Sequence, residues 1–335
     1  MFEVRPLSNQ EINRALELLS CESFSGSVDL AAKVASFREQ TLCERYDLAC
    51  QLAVLDDNHI IYTCFFETCP GRAVFILSDL PKIDNPRIYD LQTQVIHSLF
   101  QWAVDQGNNF VQIILDPDDH PRQKICSQMG FRQLTDLIYL HRSGDTQPAN
   151  CAPPDNISWL TYDKSNHSLF KQLITQTLED SLDSPELKKL RKLEDLISSL
   201  KTTDRFEPSY WRLLKCKDSS KSNKKNQQDE PAGTLLLAPT PQRDAIEIIY
   251  LGVVPQMRGK GLGKALLNEA VNLAKQTGVK SVLVSIDCRN NPARKLYEKF
   301  GFKSLLRRSV LYYRTQWNPA KPVYRTHQET QAHKR

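Results

Sequence analysis

Residues 245–264 read AIEIIYLGVVPQMRGKGLGK, and the change of pattern within them decides the fold. Residues 245–255 are mainly apolar and β-branched and end at a proline, which predicts a buried strand. A Q-x-x-G-x-G turn follows at 256–261. From Leu262 onward, apolar residues recur at i, i+3 and i+4, which predicts an amphipathic helix that Gly278 ends. The sequence therefore predicts a strand, a glycine turn and a helix in direct succession.

The glycine turn has the chemistry of a diphosphate site. Alternate glycines remove side chains where successive backbone N–H groups converge, and the helix that follows adds its positive N-terminal end. A tight turn that needs positive φ is the structural alternative. The glycines do not match the Walker A or the dinucleotide pattern. The glycines are Gly259, Gly261 and Gly263, and the cations that could add charge are Arg258, Lys260 and Lys264.

A second motif follows about 30 residues further on. Residues 281–286 form an apolar run typical of a strand, and a loop and short helix come next. Asn290 or Asn291 is the expected N-cap, and Gly301 is the expected stop before strand sequence at 303–314. Upstream, helical periodicity at 167–182 and 185–200 and strand patterns at 210–217 and 233–239 complete a mixed α/β (α+β) domain.

The two motifs in this order resemble the GNAT superfamily of N-acetyltransferases. The resemblance implies a mostly antiparallel twisted sheet flanked by helices, with acetyl-CoA as cosubstrate and no metal. It implies that backbone amides of the turn bind the pyrophosphate and that the strand backbone at 251–253 pairs with the pantetheine arm. The predicted acetyl-CoA-binding residues are Leu251, Val253, Arg258, Gly259, Lys260, Gly261, Leu262, Gly263, Lys264 and Asn290.

Two residues are candidates for proton transfer. The family tyrosine corresponds to Tyr297, whose phenol can protonate the leaving thiolate; packing on a short helix is its structural alternative. Glu247 is the candidate base, because period-2 alternation places it on the face of Val253; an exposed strand carboxylate is the commoner case. Some family members that acetylate protein N-termini have a glutamate where this chain has Ser285, which speaks against such a substrate.

A weak internal repeat predicts two tandem domains of this type. At an offset of 171, residues 103–131 match 274–302 with 8 identities in 29 positions, where chance gives roughly two. The first copy has prolines instead of glycines at its turn, and residues 116–131 are predicted as a loop. It also has Cys126 and Asp119 where the second copy has Tyr297 and Asn290. The arrangement resembles that of the mycothiol synthases, which pair a degenerate copy with an active one. The predicted layout is a degenerate domain at 1–142, a linker at 143–156, a catalytic domain at 157–316 and a basic, disordered tail at 317–335.

Composition narrows the class of protein further. Of the 335 residues, 40% are hydrophobic, which is typical of a globular protein. The sequence contains no apolar run of 18 or more residues, so no membrane-spanning helix is predicted. Nine irregularly spaced cysteines and no predicted signal peptide favour a reduced, cytoplasmic protein. The net charge of +5 comes entirely from residues 215–230 (+2) and 318–335 (+3), which leaves 35 basic and 35 acidic residues elsewhere.

The predicted function is transfer of an acetyl group from acetyl-CoA to a primary amine, either a small molecule or a protein lysine, by direct attack in a ternary complex. The alternative is a non-catalytic acyl-CoA-binding or sensor module. Nucleic-acid binding by the Lys-rich loop 215–225 is disfavoured, since no aromatic residues alternate with its lysines. No partner protein or oligomeric state is predicted.

Overall fold

The computed structural model resolves the chain into two compact units. The first comprises Met1–Gln133 and Val310–Arg335, and the second comprises Leu134–Ser309. The residues described are 2–8, 10–11, 51–56, 59–69, 71–76, 90–91, 94–95, 97–98, 101, 103, 105, 107–144, 156–201, 206–217, 229–240 and 244–314. The prolines predicted to replace the glycine turn of the first copy, most of the linker and of the Lys-rich loop, and the basic tail lie outside these residues.

The first unit contains a sheet, a helix of nine residues after its fifth strand and, among the described residues, further helical positions within 90–105. Strands β1 to β4 pair antiparallel in sequence order, and β4 pairs parallel with β5. The end of β12 lies next to β5, where Tyr312 stacks on Phe110 at 5.6 Å. The elements are β1 (Phe2–Pro6), β2 (Gln51–Asp56), β3 (His59–Cys69), β4 (Ala73–Ile76), β5 (Phe110–Leu115), α1 (His120–Gln128) and β12 (Lys303–Arg314).

The sequence prediction of a loop at 116–131 is wrong for most of that segment, because it contains α1. Asp119 caps this helix by accepting a hydrogen bond from the Arg122 N–H at 3.2 Å, and Pro121 lies in its first turn. Both features favour a helix start. Asp118 donates its N–H to the Asp116 carboxylate at 3.0 Å. The acidic cluster is therefore a helix-initiating turn.

The second unit is a sheet in the order β6-β11-β10-β9-β8-β7, with helices on both faces. All its neighbours pair antiparallel except β10 and β11, which are parallel. The elements are β6 (Arg132–Ser143), β7 (Ile157–Thr161), α2 (His167–Thr177), α3 (Leu187–Leu190), α4 (Leu193–Leu200), β8 (Trp211–Cys216), β9 (Glu230–Thr240), β10 (Ala245–Val253), α5 (Leu262–Thr277), β11 (Ser281–Asp287) and α6 (Asn291–Lys299).

Two cores cover the two faces of this sheet. On one face α5 and α6 pack through Leu266, Ala270 and Tyr297 against the central strands. On the other face α2 and α4 pack through Phe170 and Ile197 against β8 and β9. This is the mixed α/β architecture that the sequence predicts, with a mostly antiparallel sheet and flanking helices.

Two upstream helices differ from their predicted lengths. The helix predicted at 167–182 ends at Thr177. The helix predicted at 185–200 is divided into α3 and α4, because Arg191 and Lys192 adopt extended backbone angles. The segment between α2 and α3 is irregular, and both Asp180 and Ser184 have positive φ, at 50° and 45°. Such angles are strained for residues other than glycine, and strained backbone often marks a functional segment.

Candidate active site

The parallel strands β10 and β11 separate at one end. Their register runs from Ala245 opposite Ser281 to Ile248 opposite Val284 and stops there, although both strands continue. In the pairing of β10 with β9, a β-bulge lies between Ile248 and Tyr250. A bulge bends its strand and increases its twist. The last residues of β10 therefore present a backbone edge on which an extended amide-containing chain can form strand-like hydrogen bonds.

The glycine turn lies directly beyond this divergent end. Gly259 and Gly261 have φ values of 78° and 84°, and a Cβ at either position would meet nothing within 4 Å. The left-handed backbone, and not a lack of space, therefore selects glycine here. Gly261 is the N-cap of α5 and provides no side-chain cap. The first N–H groups of the helix thus remain available to an anion.

Gly263 has a different role from the other two glycines. A Cβ at this position would lie 3.2 Å from a methyl group of Leu296, so Gly263 allows α5 to approach α6 closely. Leu262 is buried in the core, and Lys260 and Lys264 are exposed beside the helix start. The turn therefore combines backbone donors with two nearby cations. The predicted phosphate contacts of these residues stay predictions.

The guanidinium of Arg258, which the sequence predicts to bind phosphate, instead contacts backbone carbonyls at the end of α2. It donates hydrogen bonds to the carbonyls of Val253 at 3.1 Å and Thr177 at 3.2 Å. It also donates to the carbonyls of Glu179 and Asp180, at 2.6 and 3.1 Å. These carbonyls lie at the negative end of the α2 dipole. Arg258 therefore ties the glycine turn to the irregular segment after α2.

Tyr297 lies on the inner face of α6. It is 4% exposed and packs edge-on against Phe302, with ring centroids 5.2 Å apart. Burial raises the pKa of its phenol, and the negative charge of Asp183 raises it further. Within the described part of the chain, no side chain or backbone group forms a hydrogen bond with its hydroxyl. Tyr297 is thus a buried phenol that is held in place by packing and keeps its proton.

Asn290 is the N-cap of α6. The sequence predicts either Asn290 or Asn291 for this position. Its side-chain oxygen accepts a hydrogen bond from the Ala293 N–H at 3.2 Å. Its side chain also lies near the carboxylate of Asp183 and acts to lower the pKa of that group. One side chain therefore both starts the helix that carries Tyr297 and contacts the segment after α2.

Asp183 is the residue that the sequence analysis missed. Its carboxylate accepts a 2.8 Å hydrogen bond from the backbone N–H of Asp287, the last residue of β11. Asp183 as a whole residue is exposed. Desolvation raises the pKa of this carboxyl group, and repulsion from Asp287 adds to the effect. A run of acidic residues at 179–186 was its only sequence signal.

An ion-pair network holds the Asp183 segment against the end of β11. Asp287 has no exposed surface and accepts hydrogen bonds from Arg289 at 2.7 and 2.9 Å and from the Ser184 N–H at 3.1 Å. Arg289 also forms a bidentate pair with Glu186 at 2.7 and 2.9 Å. Burial opposes ionisation of Asp287, but the hydrogen bonds outweigh it and lower its pKa. The same pairs raise the pKa of Arg289.

Glu247 lies on a different face of β10 from the one that the sequence predicts. Ile246 and Ile248 lie in the core under α5, so Glu247 points to the opposite face. Beyond the bulge, Leu251 and Val253 pack on that same α5 core. The bulge shifts the alternation by one residue, and the inference that Glu247 and Val253 share a face is wrong. Glu247 also pairs with Leu283, four residues before Asp287 or about 13 Å along β11.

Two features that bear on metals and membranes complete the description. Among the described residues, no group of three or more His, Cys, Asp or Glu side chains is arranged to hold a metal ion. Searched over the same residues, the chain has no helix that is both long and apolar enough to span a membrane.

Comparison with known proteins defines the class. Residues 190–302 match the acetyltransferase (GNAT) family, so this segment is a GNAT acetyltransferase domain. The chain is 34% identical over 65 residues to a mycothiol acetyltransferase from Renibacterium salmoninarum, a match that covers 19% of each chain. The chain thus spans about a fifth of the length of the curated relatives that it matches.

Two solved structures share the fold over most of the chain. A GCN5-related N-acetyltransferase from Sphaerobacter thermophilus aligns with a TM-score of 0.63 and 19% identity, covering 93% of this chain and 95% of that one. A tandem GNAT protein from the clavulanic acid biosynthesis pathway aligns with a TM-score of 0.54 and 13% identity, covering 94% and 98%. At these identities the likeness concerns the fold alone.

Proposed function

We propose that this protein transfers an acetyl group from acetyl-CoA to a primary amine by direct attack. The observation that carries the proposal is the combination of three features in one GNAT domain. These are the divergence of β10 from β11, the uncapped N-terminus of α5 after two left-handed glycines, and a buried phenol on α6. A non-catalytic binding module would need the first two features but not the third.

The residues present fit acetyl-CoA, which supplies the acetyl thioester. The N–H groups from Gly259 to Gly263 would hold its diphosphate, with Lys260 and Lys264 adding positive charge. The backbone of β10 from Leu251 to Val253 would pair with the amides of the pantetheine arm. Asn290 would contact the same molecule from the start of α6.

The protein's own part in the chemistry is proton transfer. In the overall reaction, a C–N bond to the amine forms and the C–S bond of the thioester breaks. One proton leaves the amine nitrogen for a base, and one proton reaches the thiolate sulfur. Tyr297 would donate the latter, because its raised pKa keeps the phenol protonated until the thiolate leaves. A backbone N–H near Val253 would polarise the thioester carbonyl.

The chain is also proposed to contain two copies of this domain, with only the second active. Corresponding elements recur 171 residues apart: β6 and β12 both have 12 residues, and α1 and α6 both have nine. Asp119 and Asn290 cap these helices with nearly the same backbone angles, φ −83°, ψ 61° and φ −82°, ψ 68°. In the first copy, however, Asp119 forms an ion pair with Arg122, and Cys126 replaces the tyrosine. The proposed domains are residues 1–142 and 157–316.

The test is calorimetric titration with CoA, followed by an amine panel assayed for thiol release from acetyl-CoA. We expect binding, and acetylation of a small amine or of a lysine-containing peptide. Binding without turnover on any amine would favour the acyl-CoA-binding module instead. No binding at all would reject both functions.

A further inference from the structure

The carboxylate of Asp183 lies where the two central strands separate. It accepts the N–H of Asp287 at 2.8 Å, at the end of β11 that β10 no longer pairs with. The Asn290 side chain contacts it from the start of α6, and its charge acts on the phenols of Tyr297 and Tyr250. Asp183 therefore lies at the open end of the two strands, near enough to Tyr297 for its charge to act on that phenol.

The segment that carries Asp183 is fixed at several points. Ser184 donates its N–H to Asp287, Glu186 pairs with Arg289, and Arg258 binds the carbonyls of Glu179 and Asp180. Tyr250 on β10 contacts the start of the segment, since its hydroxyl lies within hydrogen-bond distance, 2.8 Å, of Oγ1 of Thr177 at the end of α2. The positive φ of Asp180 and Ser184 costs free energy that these contacts offset. The carboxylate is therefore preorganised and not a mobile surface group.

The cations near Asp183 are paired with other groups. Arg289 is engaged by Asp287 and Glu186, and Arg258 by backbone carbonyls. Over the residues that the structure describes, no Lys or Arg forms an ion pair with Asp183. The titratable, charged and polar groups that face it are Glu186 on its own segment, Asp287 and Arg289 after β11, Asn290 and Tyr297 on α6, Tyr250 on β10 and Arg258 in the glycine turn.

We propose that Asp183 binds the acceptor as a primary ammonium ion and removes the proton that frees the amine to attack. The inference rests on the proposed acetyl transfer and names both its acceptor class and its base. A carboxylate that has no ion-pair partner among the described residues favours a cationic ligand, which would take the place of that partner. In the balanced step, the ammonium N–H bond breaks and the proton passes to a carboxylate oxygen of Asp183. The nitrogen lone pair then attacks the acetyl carbon and the C–S bond breaks. The leaving thiolate takes the proton of Tyr297, and the second proton of the nitrogen passes to the resulting phenolate.

A base in this position agrees with its environment. Desolvation and the nearby Asp287 raise the pKa of Asp183 above that of an ordinary aspartate, which makes its carboxylate a stronger base. Glu247, by contrast, lies about 13 Å further down the strands and on the other face from the core that holds Tyr297.

The test uses Asp183→Asn in the full chain, because asparagine keeps an oxygen to accept the Asp287 N–H but loses charge and basicity. With acetyl-CoA and a small alkylamine, which is an ammonium ion at neutral pH, we expect kcat/KM to fall about 100-fold. With an arylamine, which is uncharged at neutral pH and needs no deprotonation before attack, we expect little change. Wild-type kcat/KM with the alkylamine should rise with pH through the pKa of Asp183, and the variant should lose that limb.

Controls separate the possible failures. Asp244→Asn makes the same change at the far end of β10, where Asp244 pairs with Lys280, and should leave activity unchanged. Unaltered CoA affinity and melting temperature of Asp183→Asn would exclude misfolding. If the variant keeps wild-type activity and pH limb, or if Glu247→Gln removes that limb instead, this inference is overturned while acetyl transfer stands. An inactive wild type with no CoA binding would reject the proposed function as well.

Discussion

The backbone N–H of Asp287 donates a 2.8 Å hydrogen bond to the carboxylate of Asp183, which lies 104 residues earlier in the chain. β11 needs a partner for this N–H, because β10 has already diverged from it. The acidic side chain thus replaces a strand neighbour at the point where the sheet opens. One contact therefore both gives the backbone N–H of Asp287 a hydrogen-bond partner and positions Asp183 in the candidate site.

Gly261→Ala should weaken CoA binding through the backbone alone. Alanine at φ 84° costs about 1–2 kcal/mol, and relaxation of this angle would turn the first N–H groups of α5 away from a diphosphate. We expect about a tenfold loss of CoA affinity by calorimetry, or about 1.4 kcal/mol. Gly278→Ala is a matched control at the other end of the helix, since φ is 74° and no atom lies within 4 Å of its added Cβ. Equal effects of both variants on CoA affinity would contradict a role of the turn in binding.

Gly252→Ala tests close packing and not backbone conformation. An added Cβ would lie 2.7 Å from Cβ of Thr177 and 3.0 Å from a ring carbon of Tyr250. Neither atom is the end of a flexible side chain, so α2 and β10 must move apart. We expect the free energy of unfolding to fall by about 1–3 kcal/mol, measured by urea titration. An unchanged midpoint and slope would show that the contact between α2 and β10 is looser than described.

Tyr297→Phe should affect turnover and little else. The phenyl ring keeps its contact with Phe302, and the hydroxyl has no protein partner among the described residues to lose. We therefore expect an unchanged melting temperature and CoA affinity but a kcat lowered about 100-fold, as for the loss of a general acid. The measurement is steady-state thiol release at saturating acetyl-CoA. A variant with wild-type kcat would leave Tyr297 with a packing role only.

The parts of the site that could be predicted from sequence depend on local chemistry. The glycine turn, the helix end at Gly278 and the cap at Asn290 each follow from what a few neighbouring residues allow. Asp183 could not be found in this way, because its partner is a backbone N–H more than 100 residues away. The face of Glu247 was predicted wrongly because nothing in the run AIEIIYLGV marks the bulge that shifts the alternation. Helix α1 was missed because its start is rich in Asp and Pro, which are also typical of turns.

Arg289→Met should reduce stability in a pH-dependent manner. The folded-state pKa of Asp287 is lowered, so its ionised form stabilises the fold above its unfolded pKa of about 3.9, and this contribution is lost as the pH falls through the folded pKa. Removal of Arg289 takes away the cation that pairs with the buried carboxylate of Asp287. Loss of one partner of a fully buried ion pair costs about 3–5 kcal/mol. Because Arg289 is 46% exposed, we expect about 2 kcal/mol at pH 7.

The difference between wild type and Arg289→Met should therefore shrink as the pH is lowered below about 4 and through the lowered folded-state pKa of Asp287, below which this group is protonated in both proteins. Urea unfolding at a series of pH values measures it. Arg294→Met is the matched control, because Arg294 is 43% exposed but pairs with Glu298, whose side chain is 57% exposed. Its loss should cost less than about 1 kcal/mol at any pH. A difference for Arg289→Met that stays constant from pH 7 to pH 3 would mean that Arg289 stabilises the loop by packing, and that the charge of Asp287 contributes little.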